Sequence, residues 1–140
     1  MYIPLKFYSM GKSAIVLGAS GVTGTELMKL LIEDEEFDQI IVISRSKGKL
    51  EHPKIKEIIT DLLHLKQIAS ECKADVLFCC IGTTKAQTPD KTTYKAIDYG
   101  IPVQAAKIAK ANGINTFIVV SALGADPNSS IFYNRTKGEM

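Results

Sequence analysis

Cysteine and histidine are scarce in this sequence, at three and two among 140 residues. Cys72, Cys79 and Cys80 have no metal-ligand spacing, and the last two are adjacent inside an apolar run. They read as buried strand residues in a reducing compartment, which argues against a disulfide framework or a zinc site. His52 and His64 lie far apart with no matching acidic cluster, so no metal is expected. Charge of one sign is also in short supply. A net charge of +2 gives no field strong enough to argue for nucleic acid or an anionic membrane surface. No apolar run approaches the roughly 20 residues of a membrane span. Repeats, linkers and low-complexity segments are missing. Met1 to Lys12 has a few apolar residues broken by Pro4 and Lys6, without the continuous apolar region and small-residue cleavage site of a signal peptide. Met10-Gly11-Lys12 stands directly before the first strand, so residues 1–10 read as an N-terminal extension and 11–140 as one domain. These absences together predict a cytoplasmic protein.

What is present is a regular alternation. The 46% hydrophobic and 23% charged residues are ordinary for a globular chain of this length. Short apolar runs alternate with amphipathic stretches, the pattern of a parallel sheet with crossover helices. Strands are predicted at Ser13–Leu17, Gln39–Ser44, Ile55–Thr60, Ala74–Ile81 and Thr116–Val120. Helices are predicted from Val22 to about Glu33, with Leu27, Leu30 and Leu31 at helical spacing, and around Leu62 to Ser70. A third carries Tyr94, Ile97, Ile101, Ala105, Ile108 and Ala109, and another begins at Ser130. Pro102 should kink or restart the third, and Asn112-Gly113 should cap it. The expected fold is α/β, a Rossmann-type doubly wound parallel sheet of order 3-2-1-4-5 with right-handed crossovers. Its expected core includes Ile15, Val16, Leu17, Leu27, Leu31, Val42, Ile59, Leu77, Phe78, Ile118 and Val119.

The strongest chemical signal is Gly18-Ala19-Ser20-Gly21-Val22-Thr23-Gly24, between the first strand and the first helix. Glycines permit the tight turn, the approach of backbone to a pyrophosphate, and close helix–strand packing. The helix then presents free N–H groups and a positive dipole end to the phosphates. A glycine trio alone is weak, but strand before and helix after are its confirming context. About 20 residues further on, an acidic residue would favour NAD by binding the ribose 2′-hydroxyl. Here the second strand ends Ser44-Arg45-Ser46-Lys47, with no carboxylate. A guanidinium there suits a 2′-phosphate, so NADP is the expected cofactor ahead of NAD.

With the loop and Arg45 go I-V-L-G-A-S-G-V-T-G (15–24), T-D-L-L-H-L (60–65), F-C-C-I-G-T-T (78–84), A-I-D-Y (96–99), F-I-V-V-S-A-L-G-A-D (117–126) and F-Y-N-R-T-K-G-E (132–139). On these stretches, spread over 13–139, the chain resembles the atypical short-chain dehydrogenase/reductase family, near its Tat-interacting-protein-like and NmrA-like, epimerase-related branches. The resemblance implies that Ser20, Gly21, Val22 and Thr23 join Gly18 and Gly24 on the dinucleotide. It implies that Asp61 and Leu62 border the adenine, and that Cys80, Ile81, Gly82 and Thr83 run along the cofactor's middle. Ser121, Tyr133 and Lys137 would be the catalytic trio. The chemistry is consistent: Tyr133 and Lys137, four apart, share a helix face, and a nearby ammonium favours a phenolate. Ala122 stands where related sequences often carry a second serine.

Family members continue well beyond the tyrosine–lysine helix, whereas this sequence stops three residues after Lys137. Residues 130–140 are therefore expected to be the least ordered part of the domain. Two functions remain open. One is an NADP(H)-dependent oxidoreductase acting on an unidentified small molecule, with Tyr133 as acid/base and a homo-oligomer compatible with it. The other is a truncated or regulatory dinucleotide-binding or protein-interaction module without turnover.

Overall fold

The structure, a computed structural model, describes residues 11–140; the extension expected at 1–10 lies outside the described residues. The described chain alternates strands and helices except between the second and third strands, which a loop joins without the expected helical crossover. β1 (Lys12–Leu17) leads through the glycine loop into α1 (Val22–Glu33), followed by β2 (Phe37–Ser44) and β3 (Ile55–Ile59). A 3₁₀ segment (Leu62–Glu71) precedes β4 (Val76–Cys79). Then come α2 (Lys91–Lys95), a π-helical turn (Ala96–Gly100) and α3 (Ile101–Ala111), with β5 (Thr116–Val119) and α4 (Phe132–Glu139) completing the order.

The five strands form one sheet in the order β3-β2-β1-β4-β5, parallel throughout. This is the expected Rossmann-like architecture. Its central strands are covered on both faces, which is why their apolar runs are unbroken. Ile15 and Leu17 point, with Ile41, Ile43, Leu77 and Cys79, into a core shared with Leu65 of the 3₁₀ segment and Ile101, Ala105 and Ile108 of α3. Ala14, Val16, Ile40 and Val42 point the other way, onto Met28 and Leu31 of α1.

Several local expectations are corrected. The buried stripe of α1 is Gly24, Met28 and Leu31; Leu30 is exposed and Leu27 only partly buried. Ile59 and Ile118 are about half exposed, at 51% and 49%. Each sits on an edge strand, and α1 packs over β1 and β2 between them. Phe78 and Val119 are partly buried at the margins of the two cores. β4 is shorter than its apolar run, since the chain turns away at Cys80, whose carbonyl lies against Gly18.

Pro102 restarts the helix as expected, and the structure shows how. Proline has no N–H to offer the Asp98 carbonyl four residues back and its ring crowds the preceding turn. The chain answers with a wide π turn, in which the Ile101 N–H reaches back to Ala96 O.

The end of the domain is packed, contrary to the expectation of fraying. Thr136 and Lys137 are buried. Gly138 lies against the Asp126–Pro127 backbone, where a Cβ would collide. Asp126 N–H donates to Asn134 O at 3.0 Å. Phe132 meets Tyr94 edge-to-face at 5.4 Å. The helix is too short to stand alone, and tertiary contacts supply what length does not.

Candidate functional site

Parallel strands end together, so the loops that follow β1, β2, β4 and β5 gather at one end of the sheet. The site is built there in two parts.

The phosphate end is made of main chain. Gly18 has φ +80°, and a Cβ on it would stand 2.6 Å from Cys80 O. Gly24 packs α1 so tightly onto the loop that a Cβ would overlap Gly18 O. The N-cap of α1 is Gly21, no side chain caps the first turn, and that turn contains no acidic residue. Its N–H groups are thus left for an anion. Ser20 and Thr23 are exposed beside it, and Val22 is 90% exposed.

Arg45 follows β2 and is exposed. Its charge reaches Asp61, whose carboxyl is held below the usual range chiefly by the Leu63 N–H it caps, with His64 and Arg45 adding to the effect. Leu62 is 8% exposed and belongs to the core, so only Asp61 of that pair is open on the rim.

Cys80 and Ile81 are partly buried and Gly82 is exposed. Thr83 turns inward: its hydroxyl is 2.8 Å from Thr88 Oγ1, and its N–H donates to Asp98 Oδ1 at 2.8 Å.

The second part is made of side chains. Ser121 is exposed, two residues past the end of β5. It shares a groove with Lys137, Pro102, Phe117 and Met140. Tyr133 is 40% exposed, one turn before Lys137 on α4, whereas Lys137 is only 5% exposed. Lys137 Nζ lies 3.7 Å from Asp98 Oδ2. Asp98 is wholly buried. Sequence reasoning passed over Asp98 as a functional residue. Its signal was present, a carboxylate four residues after Tyr94 on the apolar face of a helix that otherwise buries only uncharged groups.

These residues fit a dinucleotide. An uncapped helix start faces the glycine turn and leaves its N–H groups for the pyrophosphate. Among the described residues no cluster of three or more His, Cys, Asp or Glu side chains is placed to hold a metal ion.

A parallel sheet of this order with a glycine turn at its first β–α junction defines a dinucleotide-binding Rossmann domain. The chain belongs to the NAD(P)H-binding family, whose pattern it matches over residues 18–139.

It is 35% identical over 133 residues to the Protein FMP52, mitochondrial, of Debaryomyces hansenii, covering 91% of this chain and 58% of that one. To Protein HTATIP2 of Rattus norvegicus it is 31% identical over 138 residues, covering 96% and 57%. The chain thus spans a little over half the length of these relatives. Among solved structures it resembles the Helicobacter pylori ADP-L-glycero-D-manno-heptose-6-epimerase, with TM-score 0.74 and 17% identity over 93% of this chain and 49% of that one. It also resembles the Bordetella bronchiseptica enzyme WbmH in complex with NAD+, with TM-score 0.74 and 16% identity over 91% and 50%. The expectation of a cytoplasmic protein is overturned, because the FMP52 relatives are named as mitochondrial. Free cysteines mark a reducing compartment but do not distinguish the cytoplasm from another one. No described helix is long and apolar enough to cross a membrane.

Proposed function

We propose that this chain is the cofactor-binding and catalytic part of an NADP(H)-dependent oxidoreductase acting on a small carbonyl or alcohol. The observation that carries the reading is the buried Lys137 one helical turn from the part-exposed Tyr133, at the strand ends of an NAD(P)H-binding domain.

When bound, the dinucleotide supplies or accepts a hydride at its nicotinamide ring. The chain's residues do the rest. The Gly18–Gly24 loop and the N-terminus of α1 hold the pyrophosphate. Arg45 pairs with the 2′-phosphate, and Asp61 borders the adenine. Cys80 to Thr83 line the middle of the cofactor. In the reductive direction Tyr133 gives its Oη proton to the substrate oxygen, and in the oxidative direction it takes the proton back. Lys137 favours the phenolate formed on transfer, and Ser121 donates a hydrogen bond to the same substrate oxygen.

Calorimetric titration of the protein with NADP and NAD, together with NADPH oxidation across aldehydes, ketones and quinones, tests the reading. NADP is expected to bind more tightly. Arg45→Asp should lower NADP affinity by more than about tenfold, through loss of a charge-assisted contact and a new like-charge clash, while NAD binding holds. Tighter binding of NAD by the unaltered protein would overturn the cofactor assignment. NADPH binding without oxidation by any carbonyl would favour a binding module, a reading to which the 40% exposure of Tyr133 lends some weight.

A further inference from the structure

Behind the site lies a pair of opposite charges, Asp98 and Lys137, whose side chains are 0% and 3% exposed. Burying two ions serves stability poorly, since apolar residues of similar volume do as well or better. The arrangement therefore invites a reason beyond packing. The π turn carries Asp98 into contact with two different parts of the site. Oδ1 accepts the Thr83 N–H at 2.8 Å, fixing the backbone that continues from β4. Among the described residues Oδ2 has no hydrogen-bond partner, and it stands 3.7 Å from Lys137 Nζ. That separation is longer than the roughly 2.7–2.9 Å of a charge-assisted hydrogen bond. The carboxylate thus attracts the ammonium without engaging its donors, which stay free for a neighbour.

Among the described residues, the other titratable groups coupled to this pair are Tyr94 of α2 and Cys79 of β4, and Tyr133 of α4 acts in turn on Tyr94. The Tyr94 hydroxyl is raised well above the usual phenol range, first by burial, then by the charge and the polar contact of Asp98 beside it, and last by Tyr133. The Cys79 thiol is pushed up to about 11 by burial, with Lys137 acting weakly against it. Neither is a counter-ion for Lys137, and Asp98 is the only carboxylate within ion-pair distance of it among the described residues.

We propose that Asp98 is a positioning residue whose two oxygens lock the Thr83 segment and the Lys137 ammonium into one register. A dinucleotide lying along that segment and the proton held at Tyr133 are then presented to the substrate together. The half concerning Tyr133 rests on the oxidoreductase reading above; the tether from Asp98 to Thr83 does not.

Three variants separate the two oxygens. Asp98→Asn keeps an acceptor for the Thr83 N–H and removes the charge, Asp98→Ala removes both, and Lys137→Met removes the ammonium. By calorimetry, NADPH affinity should change less than about threefold in Asp98→Asn and fall about tenfold in Asp98→Ala, the order of one lost hydrogen bond. In turnover, Asp98→Asn should depress kcat about as far as Lys137→Met with little change in KM. The Asp98→Asn/Lys137→Met double variant should be no slower than either single. A loss of stability in Asp98→Asn should be recovered in that double variant, which no longer buries a lone cation. This keeps the test decisive if the single variant unfolds.

Wild-type NADPH affinity in Asp98→Ala overturns the tether. Wild-type kcat and pH profile in Asp98→Asn, or additive losses in the double variant, overturn the link to Lys137. If the unaltered protein binds NADPH but oxidises it with no carbonyl, the oxidoreductase reading fails. The affinity difference and the melting cycle then still decide whether Asp98 ties the two segments together.

Discussion

The two ends of the site are made from different materials. At the end proposed for the phosphates the available groups are backbone N–H donors, the side chains around them are exposed, and glycines do little except stay out of the way. At the opposite end the proposed working groups are the side chains of Ser121, Asp98, Tyr133 and Lys137, and the charged pair among them is buried. A main-chain site is set by local turn geometry and is fixed as soon as strand, turn and helix form. A side-chain site depends on how β4, α2, the π turn and α4 come together, and the protein bears the desolvation of two ions to keep it. The first end should therefore be insensitive to side-chain truncation and intolerant of added atoms, and the second sensitive to truncation.

The largest expected effect lies at the side-chain end. Tyr133→Phe removes one oxygen from an exposed position, so the melting midpoint should be nearly unchanged. If Tyr133 is the acid/base, kcat should fall about 10²–10⁴-fold with NADPH affinity intact, the usual worth of general acid–base catalysis. Steady-state rates beside calorimetry separate the two, and undiminished turnover would remove Tyr133 from the chemistry.

Next comes an added methyl at the phosphate end. Gly24→Ala drives a Cβ into Gly18 O, and overpacking of this kind costs about 1–3 kcal/mol. Urea unfolding should show a lowered midpoint, and NADP affinity should fall with it, because α1 must shift off the loop. A wild-type midpoint would mean that the contact is not as tight as the structure has it.

Truncation at the same end should do little. Val22→Ala trims a side chain that is 90% exposed and leaves its backbone N–H in place. NADP affinity should change less than about threefold, in keeping with the small effects of surface substitutions. A larger loss would show that the loop reads the cofactor with its side chains after all.

The smallest effect concerns pH. Asp90 caps α2 through Thr93 N–H at 2.8 Å and Thr93 Oγ1 at 2.7 Å, and these contacts hold its carboxyl below the usual range. A depressed carboxyl contributes above its unfolded pKa, and that contribution is lost as pH falls through the folded value. Protection of the Thr93 amide against hydrogen exchange should therefore decline toward the acid end of the carboxylate range, before the β1 amides lose theirs. Simultaneous loss would mean that the cap does not set the local stability of α2.

The contrast between the ends also explains what could be read from the sequence. The order of the sheet, the extent of α1 and the glycine loop are legible because each rests on local periodicity or on a backbone requirement that only glycine meets. The core residues Ile15, Val16 and Leu17 are legible because a central strand buries both its faces. Ile59 and Ile118 look the same in sequence and are about half exposed, because how far α1 reaches over the edge strands is set by its packing on β1 and β2. Asp98 is legible only as an oddity, a carboxylate on an apolar helix face. Its carboxylate acquires meaning only when Thr83, fifteen residues earlier, and Lys137, on another helix, fold around it. The docking of α4 is likewise hidden, since its anchor is the contact between Gly138 and the Asp126–Pro127 backbone.

The three unpaired cysteines form a natural depth gauge. Cys72 and Cys79 are buried in the core on the α3 side of the sheet, whereas Cys80 is only partly buried where the chain passes Gly18. Burial raises all three thiols above their usual range, so alkylation at neutral pH is limited by how often each one is uncovered. Labelling of Cys80 samples local opening beside the glycine loop, and labelling of Cys72 and Cys79 samples disruption of the core itself. Mass spectrometry after a timed pulse of alkylating reagent can therefore follow a small local opening and global unfolding in one experiment, without an introduced probe.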